Sequence, residues 1–231
     1  AGIDEVRRKF FGTLYNTYSF FALYANIDGF TYKEADIEMA KRPEIDRWIL
    51  SELNTLTDYC DKSYSEYEPT KAGRAIADFV DGYLSNWYVR LCRRRFWKGE
   101  YTCDKISAYQ TLYTCLETIA RLAAPIAPFF CERLFDDLNS VSGRFAFGSV
   151  HAADFPQSNP ALVDKELENR MQTAQKICSL VLSLRKRNNL KVRQPLSRIM
   201  IPAKNICQLT GGGVKTPDIP HNAIIRSSNL T

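Results

Sequence analysis

The stretch Leu84–Trp97 runs Leu-Ser-Asn-Trp-Tyr-Val-Arg-Leu-Cys-Arg-Arg-Arg-Phe-Trp, and it joins helical apolar spacing to dense positive charge. On a wheel advancing about 100° per residue, Trp87 shares one side with Ile76, Phe79, Val80, Tyr83, Leu84 and Leu91, the stripe that faces a core. Arg90 and Arg94 fall close to that stripe, and Arg93 and Trp97 lie on its flank. The first turns therefore bury an apolar face, and the last turns put arginine where apolar residues belong. Arginine is seldom buried without a partner. Either acidic side chains meet these arginines, or the helix end projects past the core towards something negative. Guanidinium planes beside aromatic rings suit phosphates and unpaired bases. The competing reading is a basic helix C-terminus favoured by the macrodipole, with its aromatics in the core.

The same period recurs along the chain and predicts an all-α fold, an antiparallel helical bundle with a short irregular or strand segment and a loose tail at the C-terminal end. Helices are expected over Ile3–Tyr24, Glu44–Tyr67, Pro69 to about Phe96, Asp104–Ala124, Phe129–Leu138 and Val163–Asn188. Asn26–Pro43 reads as a polar connection with Asp28-Gly29 as a turn signal. Residues 1–140 are read as the main part of the bundle, 141–161 as a loop insert, and 162–202 as the last helix with a basic exit segment. Residues 203–231 read as an irregular tail of native or non-native origin. Ser149-Val150-His151 is expected to be extended, and Ile199–Ile201 to be a short strand. The chain opens Ala1-Gly2-Ile3 inside a helical pattern and without Met, so a piece of a longer protein is expected.

A net charge of +5 over 231 residues permits an anionic partner without requiring one. The end of the last helix and the stretch after it carry a second basic cluster, Arg185, Lys186, Arg187, Lys191, Arg193 and Arg198, with no acidic residue among them. No apolar run approaches the roughly 20 residues that span a bilayer, and the start carries no signal peptide pattern. Seven scattered cysteines without a CxxC point to reduced thiols in a cytosolic protein, so a cytoplasmic location is expected. Two histidines and that cysteine pattern make a metal site improbable. His151 is read as structural. Gly211-Gly212-Gly213 follows no strand and opens no helix, so it is not a phosphate loop. Asp136-Asp137 and the Asp78, Asp81 pair read as solvated faces. No catalytic residue is expected; the two basic clusters carry the functional signal.

Asn86-Trp87-Tyr88-Val89-Arg90 followed by Arg93-Arg94-Arg95-Phe96-Trp97 resembles the anticodon-binding domain of isoleucyl-tRNA synthetases, in the branch shared by eukaryotes and some bacteria. Asp46-Arg47-Trp48-Ile49-Leu50-Ser51 is similar to that family's second bundle helix, and Pro125-Ile126-Ala127-Pro128-Phe129 to its proline-broken helix. Ser149-Val150-His151 resembles its post-bundle loop, and Lys191-Val192-Arg193-Gln194-Pro195-Leu196 the segment leaving its last helix. The resemblance runs from about Gly2 to Pro202 and stops there.

The resemblance implies a parent ligase that joins isoleucine to tRNA(Ile) through an aminoacyl-adenylate, with ATP and magnesium. Its HIGH and KMSKS signatures belong to a nucleotide-binding domain expected ahead of residue 1, so this chain is expected to bind tRNA, to hold no cofactor and to catalyse nothing. Its partners would be tRNA(Ile) and the catalytic domain of the same polypeptide, with no membrane. The expected tRNA-binding residues are Arg90, Arg93, Arg94, Arg95 and Trp97, with Lys186, Arg187, Lys191 and Arg193 as a second surface. The same domain of a valyl- or leucyl-tRNA synthetase is the nearest alternative. A helical protein-interaction module and a small helical enzyme are the others.

Overall fold

Helical spacing becomes helix along most of the first of two units into which the chain divides, 1–163; the second is 164–231. The computed structural model describes residues 2–98, 100–196, 199–201 and 223–225. In the first unit α1 (Gly2–Val6), a π-helical turn (Arg7–Phe11) and α2 (Gly12–Asp28) follow one another without a break. The rod ends at Gly29, whose φ of 72° lies in the left-handed region where a side chain would be strained. α3 (Glu44–Ser65) starts behind Pro43 with Glu44 and Asp46 in its first turn. A second continuous rod comprises α4 (Pro69–Asp78), a π-helical segment (Phe79–Val89) and α5 (Arg90–Trp97). α6 (Cys103–Ala123) and α7 (Pro128–Ser142) complete the main helices of this unit. The chain is an all-α helical bundle in this region.

The π-helical segment corrects the helical wheel. Its i→i+5 bonds place more residues in each turn than α geometry does, so the apolar stripe shifts as it passes through. Ile76, Val80, Leu84, Tyr88, Cys92 and Phe96, a run of fours, are buried, and Phe79 and Val89 are buried beside them. Leu91, expected in the core, is 55% exposed, and Trp87 is only half-buried.

α6 is the element on which the others pack. The sequence predicts one apolar stripe for it, yet nearly every side chain from Lys105 to Ala123 is buried, because α2, α3, α4, α5 and α7 all rest on it. Two of its buried polar residues, Gln110 and Thr111, are satisfied by the connection after α2. The Ile37 amide donates to Gln110 Oε1 at 3.0 Å, Gln110 Nε2 donates to the Ala35 carbonyl at 3.0 Å, and Arg42 Nη1 donates to Thr111 Oγ1 at 2.8 Å. The 149–151 stretch is a 3₁₀ turn, Val150–Ala152, whose start is capped by the Ser149 side chain; the expectation of an extended piece gives way to that cap. His151 is exposed, its Nε2 3.9 Å from Glu132 Oε2.

In the second unit α8 (Lys165–Arg187) begins at Asp164, whose side chain accepts the Leu167 amide at 2.9 Å. Acids occupy its first turn and Arg185, Lys186 and Arg187 its last, as the macrodipole favours. β1 (Ile199–Ile201) pairs antiparallel with β2 (Ala223–Ile225), Ile199 opposite Ile225. The sequence pattern anticipates β1 but reads β2 as part of a loose tail. The remainder of 203–231, with Cys207 and the triple glycine, lies outside the described residues, as does Arg198.

Candidate nucleic-acid interface

α5 divides its residues sharply between two faces. Cys92 and Phe96 are buried against the bundle. Arg90, Arg93, Arg94 and Trp97, spaced i, i+3, i+4 and i+7, share the outward face, with Trp97 54% exposed. Arg93 Cζ stands 6.0 Å from the Phe20 ring of α2, which in turn packs edge-on to Phe96 at 5.2 Å. Among the described residues, no ion pair holds Arg90, Arg93 or Arg94.

Arg95, expected as an RNA contact with the others, is instead held by carboxylates of the fold. Nη1 donates to Asp46 Oδ1 at 2.6 Å and Nη2 to Asp46 Oδ2 at 2.9 Å. Nε donates to Asp104 Oδ2 at 2.9 Å, and Nη2 to the Asp104 carbonyl at 2.8 Å. The Arg95 side chain is 16% exposed and that of Asp46 is fully buried. Burial opposes the charge on Arg95, but the hydrogen bond to Asp46 and the negative charge around it outweigh that and raise the guanidinium pKa. Its donors are committed to the fold. Of the two outcomes open for the arginines, acidic partners or projection towards an anion, Arg95 takes the first and its neighbours are free for the second.

Asp46 also accepts from Tyr88 Oη at 2.9 Å and from Ser107 Oγ at 2.6 Å. Burial, then the Asp46 charge, push the Tyr88 phenol well above its ordinary value, so it stays a neutral donor. The sequence leaves open whether any of these arginines meets an acid, and names neither the arginine nor the acid. Asp46 is 49 residues from Arg95, and its own motif signals only a favourable charge at a helix start.

The second unit carries the other basic surface. Arg185 Nη1 donates to the carbonyls of Lys191 at 2.8 Å, Val192 at 3.3 Å and Gln194 at 2.9 Å. This folds the segment after α8 back on the helix end. Lys186, Arg187, Lys191 and Arg193 are exposed, and none is ion-paired among the described residues. Likewise among the described residues, no cluster of His, Cys, Asp and Glu could hold a metal ion. No helix among them is long and apolar enough to cross a membrane.

The family described as the anticodon-binding domain of tRNA ligase matches residues 46–201. The chain is 68% identical over 201 residues to isoleucine–tRNA ligase of Bacteroides thetaiotaomicron, covering 87% of this chain and 17% of that protein. It is 66% identical over 201 residues to isoleucine–tRNA ligase of Cytophaga hutchinsonii, covering 87% and 18%. The corresponding figures for isoleucine–tRNA ligase of Dehalococcoides mccartyi are 50% over 209 residues, 90% and 20%. The chain thus spans no more than about a fifth of these curated relatives' length.

Proposed function

Since the chain belongs to the family of anticodon-binding domains of tRNA ligases, we propose that it is the part of an isoleucine–tRNA ligase that binds the anticodon stem-loop of tRNA(Ile). The observation that carries this reading is the exposed cationic face of α5, Arg90, Arg93 and Arg94 with no ion-pair partner among the described residues and Trp97 exposed beside them. Guanidinium groups without counter-ions bind phosphates and release condensed cations. An exposed indole offers a face on which a splayed loop base stacks. Phosphate contacts set register and base contacts set specificity. Lys186, Arg187, Lys191 and Arg193 supply a second phosphate-binding surface on the other unit. The high identity to isoleucine–tRNA ligases supports isoleucine over valine or leucine.

In this reading the parent enzyme attaches isoleucine to tRNA in the cytoplasm with ATP and magnesium, which belong to a catalytic domain of the same polypeptide. The present chain recognises RNA and performs no chemistry. Titrating the chain with isoleucine tRNA, the same tRNA with an altered anticodon, and valine tRNA at several salt concentrations tests this. Tighter binding to the unaltered isoleucine tRNA is the expected result. A folded chain that binds none of them overturns the proposal.

A further inference from the structure

Resting on the RNA-binding reading, we infer that Asp46 and Arg95 are positioning residues for that surface, a buried pair that pins α5 so that Arg90, Arg93, Arg94 and Trp97 already face outward before RNA arrives. Asp46 belongs to the first turn of α3 and Asp104 to the first turn of α6. Arg95, in the last turn of α5, bonds both. One planar guanidinium therefore ties one helix end to two helix starts, a task its rigid fork suits and a lysine would not perform. The Asp46 carboxylate accepts both Arg95 nitrogens, the Tyr88 hydroxyl and the Ser107 hydroxyl, which saturates its acceptor positions. The pair is thus closed to any outside ligand.

α5 has 8 residues, and the backbone turns extended at Lys98 directly after it. The last turn of a helix lacks intrahelical partners for its carbonyls and frays unless held. A pinned end meets the cost of ordering during folding, whereas a loose end meets it at binding. Loose arginines would still release counter-ions, so losing the pin lowers affinity without lowering its salt dependence.

The test uses the double variant Asp46→Asn plus Arg95→Met in this chain, because removing one partner alone leaves an uncompensated buried charge. Anticodon stem-loop RNA is titrated over a salt series, and amide exchange is followed along α5. The expected result is binding weaker by about tenfold at every salt concentration, the ordering of one or two long side chains. The log–log slope stays unchanged, and exchange quickens in the last turn of α5. A slope lower by about one would mean that Arg95 itself holds a phosphate, and would overturn the inference. Unchanged affinity and unchanged exchange would overturn it too, leaving the pair with no role in positioning. Should the double variant not fold, Arg95→Lys, which keeps the charge but not the fork, is expected to give the same pattern. Failure of the unsubstituted chain to bind RNA would defeat the RNA-binding reading alone, and the exchange measurement would still decide whether the pair pins α5.

Discussion

The ends of α5 and α8 are both rich in positive charge, and each commits one arginine to the fold while leaving its neighbours outside. They do so with opposite chemistry. Arg95 is held by two carboxylates, one of them fully buried. Arg185 is held by backbone carbonyls at an exposed helix end. The first arrangement places a charge in the core and requires its counter-charge there. The second closes a turn and leaves no ion stranded when broken. A run of basic residues in a sequence is therefore two populations, and burial of the facing element decides which residue belongs to which.

Stability measurements break or sharpen this contrast most strongly. Arg95→Ala should cost about 3–5 kcal/mol, because Asp46 is left buried and unpaired, whereas Arg185→Ala should cost about 1 kcal/mol. Urea denaturation of both variants checks it, and equal losses would erase the distinction. Replacing Arg95 is also the way to remove its charge, since pH will not do so. Its pKa is raised by folding, so its contribution is complete below the ordinary arginine value and disappears only above that.

Thiol labelling probes the same contrast next. Cys92 is buried beside Arg95, and burial pushes its thiol up to about 11, while Cys178 on α8 is exposed. A thiol reagent should modify Cys178 in the folded chain faster by about a hundredfold or more, since Cys92 is reached only when the fold opens. Comparable rates, read by mass spectrometry of the labelled peptides, would mean that the α5 end is not packed. The raised pKa also carries a sign. Stability contributed by keeping Cys92 protonated is present below its unfolded value near 9.0 and is lost as pH rises through about 11. Thermal melts should therefore fall on the alkaline side across that window.

RNA binding gives a smaller effect with equal force on both ends. Arg93→Ala with Arg94→Ala, and separately Lys191→Ala with Arg193→Ala, should each lower the log–log salt slope by up to about two, because each cation removed leaves one phosphate with its condensed counter-ions. A decrease in only one pair would assign the interface to that unit. The smallest stability change is expected at Trp97→Ala, within about 0.5 kcal/mol because the ring is exposed. RNA affinity should nonetheless fall about fivefold or more if a base stacks there. A variant that melts and binds like the parent would remove Trp97 from the surface.

Much of this arrangement is legible in the sequence, and the part that is not has physical reasons. α6 appears within one residue of its observed limits because apolar spacing and Pro125 mark its extent. Arg90, Arg93, Arg94 and Trp97 stand out in the sequence as cations and an aromatic on one helical stretch, but Arg95 stands out with them. The face they occupy is not legible, because the wheel assumes uniform winding and the chain does not wind uniformly between Phe79 and Val89. The Asp46–Arg95 pair is hidden because pairing across 49 residues follows from tertiary packing rather than from any local pattern. The burial of Gln110 and Thr111 inside α6 is hidden likewise, since their partners come from the connection after α2.

The stretch Phe79–Val89 makes its rod a screw with a local change of pitch. The head of such a screw is aimed by the number of threads in the middle, not by the shape of the head. One residue gained or lost within that stretch, if the winding there became uniform or wider still, would turn everything beyond it by about 100°. Arg95 would swing away from Asp46, and the outward arginines would point elsewhere, with every one of those side chains unaltered. Chain length between two fixed points, rather than residue identity, is thus the quantity that aims the charge.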